Sequence, residues 1–314
     1  MNRPMANGKL LVGDMPVDGW VDRFAPVRLR PYLKLMRLDR PIGTWLLLLP
    51  CWWSIAMASP GRWPDWGLMA LFGIGAIVMR GAGCTVNDLA DRNFDGKVER
   101  TAARPIPSGA VTVFGALAFL GLELLIGLMV LIQLNTFTIL LGVASLALVG
   151  TYPFMKRITY WPQAWLGLTF NFGALMGWAA VQGELHPAAV VMYIAGLFWT
   201  LGYDTIYAHQ DKEDDIIIGV KSAALKLGER TVPFLFLTYA VTSTLLILAG
   251  WLAGLGWPFY PLALLACGQL LWQAVDVDIH DGPDCLRKFK SNRYFGWMFL
   301  AAIIIGQATG AGPA

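Results

Sequence analysis

Asp91 and Asp95 stand four residues apart in the stretch from Asn87 to Gly109, NDLADRNFDGKVERTAARPIPSG. On a helix their carboxylates project from one face, about one turn apart. Two such carboxylates repel each other unless a cation sits between them, so the spacing suits a divalent-metal site. The same stretch carries Asp88, Glu99 and the bases Arg92, Lys97, Arg100 and Arg104. Taken alone, so charged a segment reads more simply as a solvated polar loop.

A second cluster changes that reading. Residues 203–228, YDTIYAHQDKEDDIIIGVKSAALKLG, repeat the spacing at Asp211 and Asp215. Glu213 and Asp214 add charge, and Asp204 falls seven residues before Asp211, on roughly the same helical face. Mg²⁺ typically binds one or two carboxylates together with substrate phosphates. Two facing D-x-x-x-D pairs would hold Mg²⁺ around one diphosphate. General acid–base work needs neither so many carboxylates nor the surrounding bases.

Those bases fit an anion. Arg80 precedes Asn87 by seven residues, two helical turns, and points to the same face deeper in an apolar segment. An arginine there is costly unless it meets an anion. Lys156, four residues after Tyr152 in TYPFMKR, reads as an anion ligand or as an ordinary membrane-edge anchor. Arg104 and Ser108, in RPIPSG, either close over the site or belong to a rigid Pro-rich turn.

The elements that must position these groups are membrane helices. Hydrophobic residues make up 56% of the 314, charged residues only 14%, and mean hydropathy is +0.55. A soluble domain carries about 25% charged residues, so the chain reads as a polytopic membrane protein and a soluble enzyme is excluded. Nine apolar segments approach the length of about 20 residues that spans a bilayer. They are 42–58, 66–86, 110–132, 136–154, 163–182, 187–208, 231–250, 256–275 and 294–311. Of the 24 Lys and Arg residues, only Arg62 falls in a gap after an odd-numbered segment, and Arg80 lies inside the second. That bias places the N-terminus and both acidic clusters on the cytoplasmic side and the C-terminus outside. The fold class expected is all-α, with nine transmembrane helices as residues 42–314 and an interfacial arm as residues 1–41. Within the arm, Arg30, Lys34 and Arg37 share one helical face, which suits either an anionic membrane surface or solvent.

Other chemistries find little support. Cys51, Cys84, Cys267 and Cys285 form no C-x-x-C pair, and His186, His209 and His280 have no ligand spacing, which leaves no zinc or haem signature. The first residues show neither a secretory signal nor an Arg/Ser-rich transit peptide. The expected location is a bacterial inner (cytoplasmic) membrane, multi-pass, with the active site facing the cytoplasm. A nucleic-acid partner is not expected, and oligomeric state leaves no trace.

The motifs resemble those of the UbiA-type intramembrane aromatic prenyltransferases. Asn87, Asp88, Asp91 and Asp95 match that family's N-D-x-x-D-x-x-x-D, and Asp211 and Asp215 match its second D-x-x-x-D, after Tyr207-Ala208. The likeness runs from Asp39-Arg40-Pro41-Ile42-Gly43 to Asn292-Arg293-Tyr294-Phe295-Gly296. It implies nine helices around a central cavity open to lipid, with both motifs at its cytoplasmic end. It also implies Mg²⁺ as cofactor, held by Asp91, Asp95, Asp211 and Asp215 with Asn87. Arg80, Tyr152, Lys156 and Asp88 are carried over as diphosphate or cavity ligands. The strings around the motifs are most similar to the branch that transfers a polyprenyl group from polyprenyl diphosphate to 4-hydroxybenzoate, ortho to the hydroxyl, for ubiquinone biosynthesis. Arg40 is then expected on the acceptor's carboxylate, and Trp45, Trp52, Phe170, Phe172 and Trp199 along the isoprenoid path.

Alternatives stay open at this point. A naphthoate or homogentisate acceptor would use the same motifs. From another class, a cation-coupled transporter also buries acids, although its site usually lies near the membrane midplane. A CDP-alcohol phosphotransferase would show a D-G-x-x-A-R run, which Asp95-Gly96 does not begin.

Overall fold

Backbone amides in a hydrocarbon phase must be satisfied within their own segment, and the apolar stretches of this chain form helices accordingly. The structure is a computed structural model that describes residues 18–60, 63–95, 101–210 and 221–310, with residues 5–6, 9–12, 15–16, 212, 216 and 219. Its helices are α1 Trp20–Phe24, α2 Arg30–Leu35, α3 Ile42–Ala58, α4 Trp66–Asp95, α5 Val113–Leu131, α6 Thr136–Ile158, α7 Pro162–Phe170, α8 Phe172–Gln182, α9 Pro187–Gln210, α10 Ala223–Leu227, α11 Thr231–Leu252, α12 Phe259–Asp276 and α13 Gly282–Thr309. Before them, Met5–Ala6, Lys9–Val12 and Met15–Pro16 pair as a short antiparallel meander, which the all-α expectation did not include.

Helices occupy all nine expected segments. Among the described residues, 6 stretches are both long and apolar enough to cross a membrane, and α3 is a shorter apolar helix. Gln269, Gln273 and Asp276 dilute α12, and the first half of α13 is charged, so those two fall short on composition. The fifth segment is two helices. Asn171 closes α7 at φ −90° and opens α8, while its side-chain amide bonds to Gly167 C=O and to Thr200 Oγ1, each at 2.8 Å.

The chain divides into two compact units. Unit 1 comprises Met1–Thr44 and Gly73–Ile132, and unit 2 comprises Trp45–Phe72 and Gln133–Ala314. In unit 1 Leu35 of α2, Ile106, Val111 and Ala116 of α5 form an apolar cluster, with Tyr32, Leu89 and Phe119 packed against it. This cluster docks α2 and the segment before α5 onto the last turns of α4. Thr112 starts α5 as its N-cap, its hydroxyl accepting from Gly115 N–H at 3.0 Å.

Unit 2 is built on aromatic packing. Trp53 of α3 lies 5.2 Å from Trp199 of α9 and 5.0 Å from Phe299 of α13, ring centre to ring centre. Both indole N–H groups are satisfied, Trp53 by Gly296 C=O and Trp199 by Asn292 Oδ1. Close approach of α3 and α8 depends on small residues: a Cβ on Gly177 would come within 2.6 Å of Cys51 C=O. Without a hydrophobic force between helices in lipid, such contacts and the Ser54 hydroxyl donating to Ala174 C=O hold the pair.

Candidate active site

The first acidic motif lies on one continuous helix. α4 runs unbroken through Asn87, Asp88 and Asp91 and ends at Asp95. Its apolar body ends before the motif, so the helix carries the acids out at its C-terminal end. Asn87 and Asp91 are half-buried and one turn apart on a common face, while Asp88 is completely buried. Asp95 closes the helix, and its side chain lies outside the described residues, as do Asp211, Asp215 and residues 96–100.

Arg80 lies two turns before Asn87, as its spacing implies. Its guanidinium reaches one turn forward along α4 to Cys84 Sγ and fills the space beside Gly43 at the start of α3. Arg40, three residues before Gly43, is part-buried next to Asp39, with Nε 3.6 Å from Oδ1. Asp88 Oδ1 receives Arg37 Nη2 at 2.6 Å and Arg104 Nη1 at 3.4 Å. Arg37, Arg40, Arg80 and Arg104 thus all belong to unit 1, with Asn87, Asp88 and Asp91.

Unit 2 holds the second set. Tyr152 and Lys156 sit half-buried on the last turns of α6, and Lys156 C=O accepts from Lys221 N–H at 2.9 Å. That bond ties the end of α6 to the segment following the second motif. α9 is helical through Gln210, so Asp211 follows its last residue. Near that end Tyr207 packs on Phe289, ring centres 4.7 Å apart, and His209 Nε2 meets Thr231 Oγ1 at 2.8 Å.

The donor set suits a hard cation: the amide oxygen of Asn87 and the carboxylate of Asp91 share one face of α4, and Cys84, one turn earlier on that face, is buried with its sulfur on Arg80. Among the described residues no three His, Cys, Asp or Glu side chains converge as a metal site. Of the four expected carboxylate ligands, only Asp91 has a described side chain.

Of the aromatic residues expected along an apolar path, Trp45 and Trp52 are half-buried and stack edgewise on each other and on Trp297. Trp199 is different. It is fully buried between Trp53, Tyr203 and Phe295, which makes it a core residue. Two further residues stand out. Arg37 carries no motif signal beyond its place in a basic arm. Glu123 does carry one, as the only charged residue of α5 and 2% exposed. Acids within a span usually pair or serve a site, and Glu123 Oε2 accepts from the Thr85 hydroxyl of α4 at 3.0 Å.

Comparison with known proteins gives the family and the fold. Residues 47–303 match the UbiA prenyltransferase family. The mitochondrial 4-hydroxybenzoate polyprenyltransferase of Arabidopsis thaliana is 53% identical over 293 residues, 92% of this chain and 72% of its own length. The Homo sapiens enzyme of the same name is 52% identical over 285 residues, 90% of this chain and 77% of its own length. Among solved structures, a UbiA homologue from Archaeoglobus fulgidus bound to GPP and Mg²⁺ superposes with a TM-score of 0.65 at 18% identity, covering 88% of this chain and 99% of that one. A UbiA homologue from Aeropyrum pernix K1 gives 0.65 at 23% identity, covering 84% and 97%. The named relatives are mitochondrial, which overturns the expected bacterial inner membrane. The physical reason is plain: a Lys/Arg bias orients a chain across a bilayer and carries no information about which bilayer.

Proposed function

This chain belongs to the UbiA prenyltransferase family, and from that premise we propose that it transfers a polyprenyl group from polyprenyl diphosphate to 4-hydroxybenzoate. The new bond forms at the ring carbon ortho to the hydroxyl; that carbon's hydrogen leaves as a proton while the diphosphate departs from the donor, and the reaction is a step of ubiquinone biosynthesis. One observation carries this reading: about half of all residues are identical, over nine-tenths of the chain, to enzymes named for that reaction.

The finer reading concerns architecture and site. Residues 42–314 form nine transmembrane helices around a central cavity, with the N-terminus cytoplasmic and residues 1–41 as an interfacial arm. Helices on all nine apolar segments and the one-sided Lys/Arg distribution support this. Asp91, Asp95, Asp211 and Asp215 with Asn87 hold Mg²⁺, supported by the oxygen donors on one face of α4 and by the Mg²⁺ named with the Archaeoglobus homologue. Bound there, Mg²⁺ supplies positive charge to the leaving diphosphate.

The chain's own side chains do the rest. Arg80, Tyr152 and Lys156 bind the diphosphate and hold it in line as the allylic C–O bond breaks. Arg40 binds the acceptor's carboxylate and so turns the ring carbon beside the hydroxyl toward the allylic centre. The half-buried rings of Trp45, Trp52, Phe170 and Phe172 keep water from the isoprenoid.

The test is a membrane assay with Mg²⁺, a polyprenyl diphosphate and competing aromatic acceptors. Prenylated 4-hydroxybenzoate should form, and should vanish in EDTA and in Asp91→Asn. Full turnover by Asp91→Asn or Asp211→Asn would remove the metal assignment. Preference for a naphthoate or homogentisate would move the acceptor.

A further inference from the structure

Asp88 belongs to the first acidic motif, yet it is 0% exposed and its Oδ1 is shared by two guanidinium groups, Arg37 at 2.6 Å and Arg104 at 3.4 Å. The three residues come from three places: Arg37 just past α2, Asp88 on α4, and Arg104 in the turns leading to α5. Each guanidinium and the carboxylate would be costly to bury alone, so the contact binds all three elements together.

The backbone at Arg37 shows how strongly that contact is required. Leu38 N–H bonds to Leu33 C=O at 2.9 Å, and Arg37 N–H to Lys34 C=O at 3.1 Å. These two bonds close a helix in the Schellman arrangement, whose left-handed position glycine normally fills. Here Arg37 fills it, with φ 61°. A side chain at that position strains the backbone, and such strain persists where the surroundings demand it. What this side chain does is reach Asp88.

Arg104 is held with similar care. Its N–H bonds to Thr101 C=O at 2.9 Å, its C=O accepts from Ser108 N–H at 3.0 Å, and Val111 N–H bonds to Pro105 C=O at 2.9 Å. Ile106 and Val111 then pack against Leu35 of α2. Asp88 therefore draws α2 and these turns onto the part of α4 whose accessible side presents Asn87 and Asp91.

We infer that Asp88 is a positioning residue and not a ligand of metal or diphosphate. By holding Arg37 and Arg104 it locks the 101–109 turns and the end of α2 against the α4 turn that carries Asn87 and Asp91. What is positioned rests on the prenyl-transfer reading above; the clamp itself does not.

The test compares the parent with Arg37→Gly, Arg104→Gln, Asp88→Asn and the double Asp88→Asn/Arg37→Gly. Arg37→Gly relieves the left-handed strain, so it keeps the helix end folded while cutting the contact. In the metal-free protein, amide exchange across 101–111 should rise in every variant. In the Mg²⁺-loaded protein, kcat should fall by about 10- to 100-fold, and half-saturating Mg²⁺ should move by a similar factor, within about threefold, in Asp88→Asn and in the two arginine variants. The double variant should be no worse than Asp88→Asn alone, because coupled partners do not add. The inference is overturned if Arg37→Gly and Arg104→Gln exchange and turn over like the parent. It is overturned equally if Asp88→Asn raises half-saturating Mg²⁺ by about tenfold or more above both arginine variants, since a lost ligand would be felt at Asp88 alone and a lost clamp in all three. Should Asp88→Asn not fold, the two arginine variants decide alone. A parent inactive on 4-hydroxybenzoate would sink the functional reading instead, while exchange would still report on the clamp.

Discussion

The guanidinium of Arg80 lies in the hollow left by Gly43: a Cβ on Gly43 would come within 2.4 Å of Arg80 Nε and 2.8 Å of Nη2. One residue without a side chain, at the start of α3, thus makes room for the deepest cation of the first motif. Gly43→Ala should push the guanidinium aside without disturbing the helix, which accepts alanine readily. Displacement of a binding group by about 1 Å can cost on the order of 100-fold in rate. The expected outcome is a loss in kcat/KM of that order, in assays varying polyprenyl diphosphate, with the melting temperature held. Parent-like kinetics would show that the position of Arg80 does not matter.

Glu123 and Thr85 join α5 to α4 within unit 1. Glu123 Oε1 lies where a Cβ on Gly81 would be only 2.3 Å away, so the carboxyl is seated tightly on the α4 backbone. Glu123→Leu removes the acceptor and strands the buried Thr85 hydroxyl, a loss of about 1–3 kcal/mol. Glu123→Gln keeps an oxygen for that hydroxyl in the same shape and should cost less than about 1 kcal/mol. Thermal unfolding in detergent separates the two. Equal melting temperatures for the Leu variant and the parent would leave the hydrogen bond without weight.

Much of this was legible in the sequence, for identifiable reasons. Bilayer thickness dictates segment length, so every helix from α3 onward that fills an apolar segment could be located from hydropathy. The four-residue spacing of Asp91 and Asp95 likewise indicated one helix, and both lie on α4. Spacing cannot report environment, however. Asn87, Asp88 and Asp91 look alike as motif members, and only packing shows that Asp88 is sealed under two arginines. The left-handed turn at Arg37 was hidden because no glycine marks it. Trp199 was ambiguous for a similar reason, since an aromatic side chain in a span serves a cavity or a core equally well.

Asp284, in the first turn of α13, offers a test in pH. Burial alone would raise its carboxyl. The Asp278 N–H at 2.9 Å and the charges of Lys288 and Arg287 outweigh burial and hold it below the ordinary value of 3.8. A carboxyl lowered on folding stabilises fully above its unfolded value and loses that contribution as pH falls through the folded one. Asp284→Asn should therefore melt several degrees below the parent at neutral pH, with the gap closing as pH drops below about 4. A gap that persists unchanged at pH 3 would mean that the charge of Asp284 is not what stabilises the turn.

Trp199 separates packing from substrate contact. It is 0% exposed, lies 5.2 Å from both Trp53 and Phe295, and donates its indole N–H to Asn292 Oδ1 at 2.8 Å. Trp199→Phe leaves that oxygen without its donor and opens a small void, a combined loss of about 2–4 kcal/mol. Trp52 is half-buried in an edge-to-face cluster with Trp45 and Trp297, and it donates to Met69 C=O at 2.8 Å. If Trp52 borders the isoprenoid path and Trp199 does not, the two substitutions fail differently. Trp199→Phe should lower the melting temperature and leave the preference among donors of different chain length unchanged. Trp52→Phe should shift that preference with a smaller loss of stability, about 1 kcal/mol for the indole hydrogen bond. A donor preference altered by Trp199→Phe would return that side chain to the path, because a residue that only packs in the core has no means of measuring chain length.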